Sequence, residues 1–222
     1  MSIEAVIFDM DGLMVDSERV YEEIFKLATA EMNREHSHEL ILRTTGMNNA
    51  AWRAEVQKFY GEDFDLEFFA DRCDILMEDW VEEKGIPLKD GLIELLEYLK
   101  EKQIPCAVAS STYTKKAMRL LSKVGIDGYF TGFMFGDMVE RSKPEPDIFL
   151  AAAKLLGKEP ATCMGLEDSF NGIRACNAAG LYTVMVPDLL QPTEEIRALT
   201  DNCVATLGDV IPLIETLNGK GQ

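Results

Sequence analysis

The sequence predicts an α/β fold, a doubly wound parallel sheet with a small all-helical domain inserted after the first strand. Three observations predict it. Short, wholly apolar segments such as residues 5–8 and 106–109 read as strands buried on both faces, the pattern of a parallel sheet. From residue 86 onward such segments alternate with amphipathic helical stretches, which gives helices on both faces of the sheet. Between the first strand and that alternation, residues 16–84 carry helical periodicity and no strand signal. The expected division is a core of residues 1–15 and 86–222 and an inserted domain of residues 16–85.

The first strand, Ala5-Val6-Ile7-Phe8, stops abruptly at Asp9-Met10-Asp11-Gly12. Val20, Ile24, Leu27 and Ala28 then recur at i, i+4, i+7 and i+8, the buried face of a helix, and Phe69, Cys73, Leu76, Met77, Trp80 and Val81 repeat the pattern. Gly46 and Gly61 divide the insert into three or four helices. Asp90 is placed to cap a helix whose apolar face is Leu92, Leu95, Leu96 and Leu99. The next strand is 106–109, followed by a helix over 114–124 and a strand at 133–135. Pro144 and Pro146 introduce a helix that Gly157 stops, leading to a strand at 162–166. A helix over 169–179 ends at Gly180, and strands at 182–186 and 204–207 precede a final helix.

The 222 residues hold 22 Lys plus Arg against 39 Asp plus Glu, a net charge of −17, which repels nucleic acid and anionic lipid. No apolar run reaches the ~18 residues of a membrane span, and Glu4, Asp9 and Asp11 stand where a signal peptide carries bases. The expectation is a cytoplasmic protein with no nucleic-acid or membrane partner. Five cysteines with no CxxC spacing fit neither a disulfide framework nor a zinc knuckle, and most read as small core residues. With only His36 and His38, whose spacing reads as a solvated loop, carboxylates and lysine must carry any catalysis. The basic helix face of Lys115, Lys116, Arg119 and Lys123 reads as solvated.

In open parallel sheets ligands bind beyond the carboxyl ends of the strands. Asp9 and Asp11 follow the first strand, Ser110, Ser111 and Thr112 the second, Lys143 the third after a loop, and Glu167 and Asp168 the fourth. Any one of these alone reads equally well as a helix cap or a solvated lysine. Together they bring four carboxylates, hydroxyls and one ammonium to one edge. Clustered carboxylates raise one another's pKa unless a cation intervenes, and an all-oxygen set suits Mg²⁺.

Four ordered segments carry a resemblance: Phe8-Asp9-Met10-Asp11-Gly12 running on to Asp16-Ser17-Glu18, Val108-Ala109-Ser110-Ser111, Ser142-Lys143-Pro144-Glu145-Pro146-Asp147, and Gly165-Leu166-Glu167-Asp168-Ser169. The chain resembles the haloacid dehalogenase-like (HAD) superfamily over residues 5 to about 190. The resemblance implies a Rossmann-like core with the helical insert as its cap. It makes Asp9 the nucleophile that takes a phosphoryl group and Asp11 the acid, then base. It gives Ser110, with Ser111 beside it, a phosphoryl oxygen to hold, and Lys143 the phosphate charge to neutralise. Asp9, the main-chain carbonyl of Asp11, and Asp168 would hold Mg²⁺, with Glu167 in or near that shell. Asp11 favours phosphoryl transfer, because dehalogenase relatives lack an acid two residues after the nucleophile.

The implied activity is hydrolysis of a small phosphorylated metabolite, a sugar phosphate, by a monomer. A phosphohexomutase resembling β-phosphoglucomutase is the nearest alternative, and a non-catalytic binding module the alternative of another class. Substrate selectivity would lie in the cap, with Gly46, Met47, Asn48, Asn49, Trp52 and Arg72 as candidates. At the cap position where β-phosphoglucomutase carries a histidine, this chain has Tyr21.

Overall fold

The computed structural model describes residues 2–219. Six parallel strands form one sheet: β1 (Ala5–Phe8), β2 (Cys106–Ser110), β3 (Gly132–Phe135), β4 (Cys163–Glu167), β5 (Tyr182–Met185) and β6 (Asn202–Cys203), in the order β3-β2-β1-β4-β5-β6. β1, β2 and β4 are buried along their whole length, as their unbroken apolar runs require. Side chains alternate across β1. Val6 and Phe8 pack with α5 (Leu92–Glu101), α6 (Thr114–Val124) and α10 (Val210–Gly219), while Ala5 and Ile7 pack with α7 (Asp147–Leu155) and α8 (Phe170–Ala178). The outer helix α9 (Glu194–Leu199) sends Ile196 against Met185 and Ile173.

Four helices follow β1: α1 (Ser17–Glu31), α2 (His38–Thr44), α3 (Asn49–Tyr60) and α4 (Leu66–Lys84). Local chemistry starts three of them. Ser37, Asn48 and Asp65 accept hydrogen bonds from the main-chain N–H groups of Leu40, Ala51 and Phe68 at 3.2, 3.0 and 3.0 Å. Phe25, Phe64 and Phe69 fill the middle of this cap, with the Phe25 and Phe69 rings edge to face at 4.9 Å. The two chain crossings between cap and core run side by side, with Asp16 N–H donating to Pro87 O and Lys89 N–H to Met14 O, both at 2.9 Å.

Several expected details differ. Leu27 is exposed, because α1 buries Ile24, Phe25 and Ala28 instead. Asp90 does not cap α5: Gly91 occupies that position, and Asp90 O accepts from Leu207 N–H at 3.2 Å. The last strand lies at Asn202–Cys203 rather than 204–207, since Thr206 and Asp209 form a capping box that starts a helical turn. Four cysteines are buried free thiols and Cys203 is exposed. Among the described residues, no helix is long and apolar enough to cross a membrane.

Candidate active site

The strand order reverses between β1 and β4, and a doubly wound sheet opens a crevice at that point. Asp9 is the first residue past β1, and its N–H donates to Leu166 O at 3.0 Å. Glu167 ends β4, and Asp168 follows it. Lys143 reaches the crevice from the loop after β3. Its ammonium donates to Asp9 Oδ1 and Glu167 Oε1 at 2.5 Å each and to Ala109 O at 2.9 Å, so all three of its N–H bonds are used. Burial pulls an ammonium down, but the Asp9 and Glu167 carboxylates outweigh it and hold Lys143 above its ordinary value.

Glu167 has both oxygens engaged. Besides Lys143 on Oε1, Oε2 accepts from Asp168 N–H, Ser169 N–H and Ser169 Oγ–H at 3.2, 3.3 and 3.1 Å. A side chain at Gly172, in the first turn of α8, would overlap the Glu167 carboxylate, so glycine lets that helix approach. Asp168 is the contrasting case: buried, with Oδ1 lacking any hydrogen-bond partner. Gly12, at φ +78°, faces Asp168 Oδ2 where a Cβ would collide.

Oxygens of Asp9, Glu167 and Asp168 lie within 4.8 Å of one another. Of these three buried carboxylates, Asp9 and Glu167 share the Lys143 ammonium and Asp168 has none. Burial, then the neighbouring carboxylate of Glu167, pushes both Asp9 and Asp168 well above the usual range. An all-oxygen cluster with an unpartnered buried carboxylate oxygen is the donor set a hard divalent cation takes, so these residues fit Mg²⁺. The Asp11 carboxylate stands outside this cluster: its Oδ2 accepts from Thr112 Oγ1–H at 2.7 Å, and Ser110 Oγ in turn accepts from Thr112 N–H at 3.0 Å. Asp9, Asp11, Ser110, Ser111, Lys143 and Asp168 all border one cavity of about 360 Å³ beneath the cap.

Residues 3–180 match the haloacid dehalogenase-like hydrolase family. The chain belongs to it. Within the family it is 31% identical over 184 residues to a phosphorylated carbohydrates phosphatase of Thermotoga maritima, covering 82% of this chain and 84% of that protein. It superposes on CbbY of Rhodobacter sphaeroides in complex with phosphate at a TM-score of 0.76 and 27% identity, over 94% of this chain and 96% of that one. The fold is also that of a Clostridium difficile β-phosphoglucomutase, at a TM-score of 0.80 and 21% identity over 99% and 98% of the two chains. The protein is a haloacid dehalogenase-like phosphoric monoester hydrolase whose relatives include named phosphatases.

The cap closes the cavity with Gly46, Met47, Asn48, Asn49 and Trp52, as the sequence suggested for the turn before α3. It does not bring Arg72 there. Arg72 is on another face of α4, where its guanidinium makes a bidentate pair with Glu31 at 2.6 and 2.8 Å. Besides Lys143, the cations bordering the cavity are Arg53, bonded to Glu67, and Lys116, bonded to Asp74 at 2.5 Å. Sequence reading missed Arg53 because it lies just one turn past the expected motif, and Lys116 because its face of α6 looked solvated. Glu18 and Tyr21 also border the cavity. Glu18 was visible as part of the first motif, but its environment was not.

Proposed function

We propose that this hydrolase is a Mg²⁺-dependent phosphatase that releases phosphate from a small phosphorylated metabolite, a sugar phosphate, through an aspartyl phosphate on Asp9. The observation that carries the reading is the division of labour between two carboxylates on one cavity. Asp9 is locked by Lys143 against β4, while Asp11 is turned onto Thr112 beside it. A carboxylate fixed by an ammonium is placed to attack, and a second one, free of that pair, is placed to move a proton.

In this reading an Asp9 carboxylate oxygen bonds to phosphorus as the ester P–O bond breaks, and Asp11 gives its proton to the departing alkoxide. Water then attacks the aspartyl phosphate, Asp11 takes its proton, and the bond to Asp9 breaks to free phosphate. Ser110 and Ser111 hold phosphoryl oxygens, and Lys143 offsets the charge of the phosphate. Asp9, Asp168 and the main-chain carbonyl of Asp11 would hold Mg²⁺. Glu167, its oxygens taken, serves mainly to aim Lys143 and the start of α8. When bound, the ion supplies positive charge that offsets the repulsion between a carboxylate and a phosphate dianion. Gly46, Asn49 and Trp52 would contact the remainder of the substrate. The core is taken as 1–15 and 86–222 and the cap as 16–85, in a monomeric cytoplasmic enzyme that sedimentation and cell fractionation would check.

A panel of phosphorylated metabolites assayed for phosphate release tests the proposal. Activity is expected to vanish in excess chelator and return with Mg²⁺. Asp9→Asn keeps the shape and removes the nucleophilic charge, so turnover is expected to fall by at least ~10³-fold, with no acid-stable protein-bound phosphate after rapid quench. More than about a tenth of the wild-type rate in Asp9→Asn would exclude Asp9 as the nucleophile.

A further inference from the structure

The basic face of α6 is exposed, but three of its four cations are paired. Lys116, Arg119 and Lys123, at i, i+3 and i+7, share one face of α6, and Asp74, Glu78 and Glu82, at i, i+4 and i+8, share one face of cap helix α4. The two stripes meet across the cap–core boundary. Lys116 bonds Asp74 at 2.5 Å, Arg119 bonds Glu78 at 2.7 Å and Glu82 at 3.1 Å, and Lys123 bonds Glu82 at 2.8 Å. The row runs from near the second chain crossing, at Glu82, to the cavity wall, where both Lys116 and Asp74 face the site.

We infer that this row of ion pairs is a latch that holds the cap shut over the cavity, with Arg119 as its central positioning residue. The inference rests on the phosphatase reading for its consequence, since shutting the cap is what would exclude water around a bound phosphate ester. Its physical basis is independent of that reading. Beyond the two chain crossings, Arg19 pairs with Asp188 at 2.7 Å and Asn171 Nδ2–H donates to Gly46 O at 3.2 Å, and the row along α4 and α6 adds four more cap–core bonds, so it helps set how the two bodies stand. The pairs are exposed, so each contributes little alone, but three cations on one rigid helix facing three carboxylates on another act together. An interface of this kind separates without stripping an apolar core, and salt weakens it. Arg119, Lys123, Glu78 and Glu82 do not border the cavity, so changing them acts through the cap and not on the substrate.

The test uses the full-length protein. Spin labels are placed on exposed Cys203 in the core and on Glu62→Cys in the cap, and their separation is measured at low and high salt. Raising ionic strength from about 0.1 M to about 1 M shortens the screening length from ~10 to ~3 Å. The wild-type distribution is expected to broaden toward longer distances in high salt. Arg119→Glu is expected to show that broadened distribution already at low salt, and Arg119→Glu with Glu78→Arg to move back toward wild type. In kinetics, Arg119→Glu is expected to raise KM about three- to tenfold with kcat within about twofold, and to lose most of the salt dependence of KM. Arg119→Gln and the salt series on unmutated α4 and α6 give the same reading if the charge reversal fails to fold. Label distances and KM that ignore both salt and the Arg119 variants would overturn the latch. If no phosphate ester is hydrolysed, the phosphatase reading falls, and the label distances still decide the latch.

Discussion

Glu18 lies beneath the cap on the first turn of α1, and its carboxyl is pushed up from 4.5 to about 7, first by burial and then by Asp11 and Asp188. A carboxyl with a raised pKa in the folded protein binds its proton more tightly there than in the unfolded chain. It therefore adds stability at low pH that is lost as pH rises from about 4.5 through about 7. Glu18→Gln removes that loss while keeping an oxygen near Thr45. In chelator, the variant is expected to melt above the wild type at pH 8, with the difference shrinking to nothing by about pH 4.5, as thermal scans across that range would show. Single residues also mark where sequence reading was strong and where it failed. Asp9, Asp11, Ser110, Lys143, Glu167 and Asp168 were legible because strand ends of a parallel sheet converge on one edge, so chain position alone locates them. Arg72 was misplaced because a helical residue's direction depends on the rotation of its helix against its neighbours, and here that rotation gives Arg72 to Glu31.

At the scale of elements, the turn from β4 into α8 joins fold and site through one hydroxyl. Ser169 Oγ accepts from Gly172 N–H at 3.1 Å as the helix cap and donates to Glu167 Oε2 at the same distance. Ser169→Ala deletes both bonds, and a loss of about 1–2 kcal/mol in stability is expected from urea unfolding. Glu167 also aims Lys143, so phosphate release in the same variant is expected to fall several-fold. A variant as stable as wild type would mean that the capping bond contributes nothing. The central strands and the helical insert were legible because they rest on local signals, unbroken apolar runs and helical periodicity broken at Gly46 and Gly61. β6 was not: a two-residue edge strand has no pattern of its own, and its place is set by pairing with β5. The acidic partner of the exposed α6 face was not legible for the same reason, since helical charge periodicity looks alike whether it meets water or an acidic partner.

For the whole molecule, the choice between releasing phosphate to water and passing it to a second sugar hydroxyl depends on how cap and core share control of Asp11. A mutase has to protect its aspartyl phosphate until the next hydroxyl is in place, so a cap group must govern when Asp11 takes a proton. The resemblance to β-phosphoglucomutase matches Tyr21 to the cap position where that control would sit. Its ring is edge-on to Phe25 and Trp52, and burial pushes its hydroxyl well above 10, so it stays neutral and cannot relay a proton as an imidazole does. Asp11 takes its bond from Thr112 in the core, so its orientation is set without the cap. Apart from Lys143, which is held by Asp9 and Glu167, the cations at the cavity are Arg53, bonded to Glu67, and Lys116, bonded to Asp74, which leaves neither free to anchor a second phosphate without breaking a pair. Phosphate release to water is therefore expected to exceed conversion of β-glucose 1-phosphate to glucose 6-phosphate, measured side by side with a trace of the bisphosphate primer. Tyr21→His should raise the isomerised fraction if the missing proton relay is the deciding difference. Isomerisation faster than hydrolysis in the unaltered enzyme would show instead that closure of the cap alone, with no titrating group on it, suffices to keep water from the aspartyl phosphate.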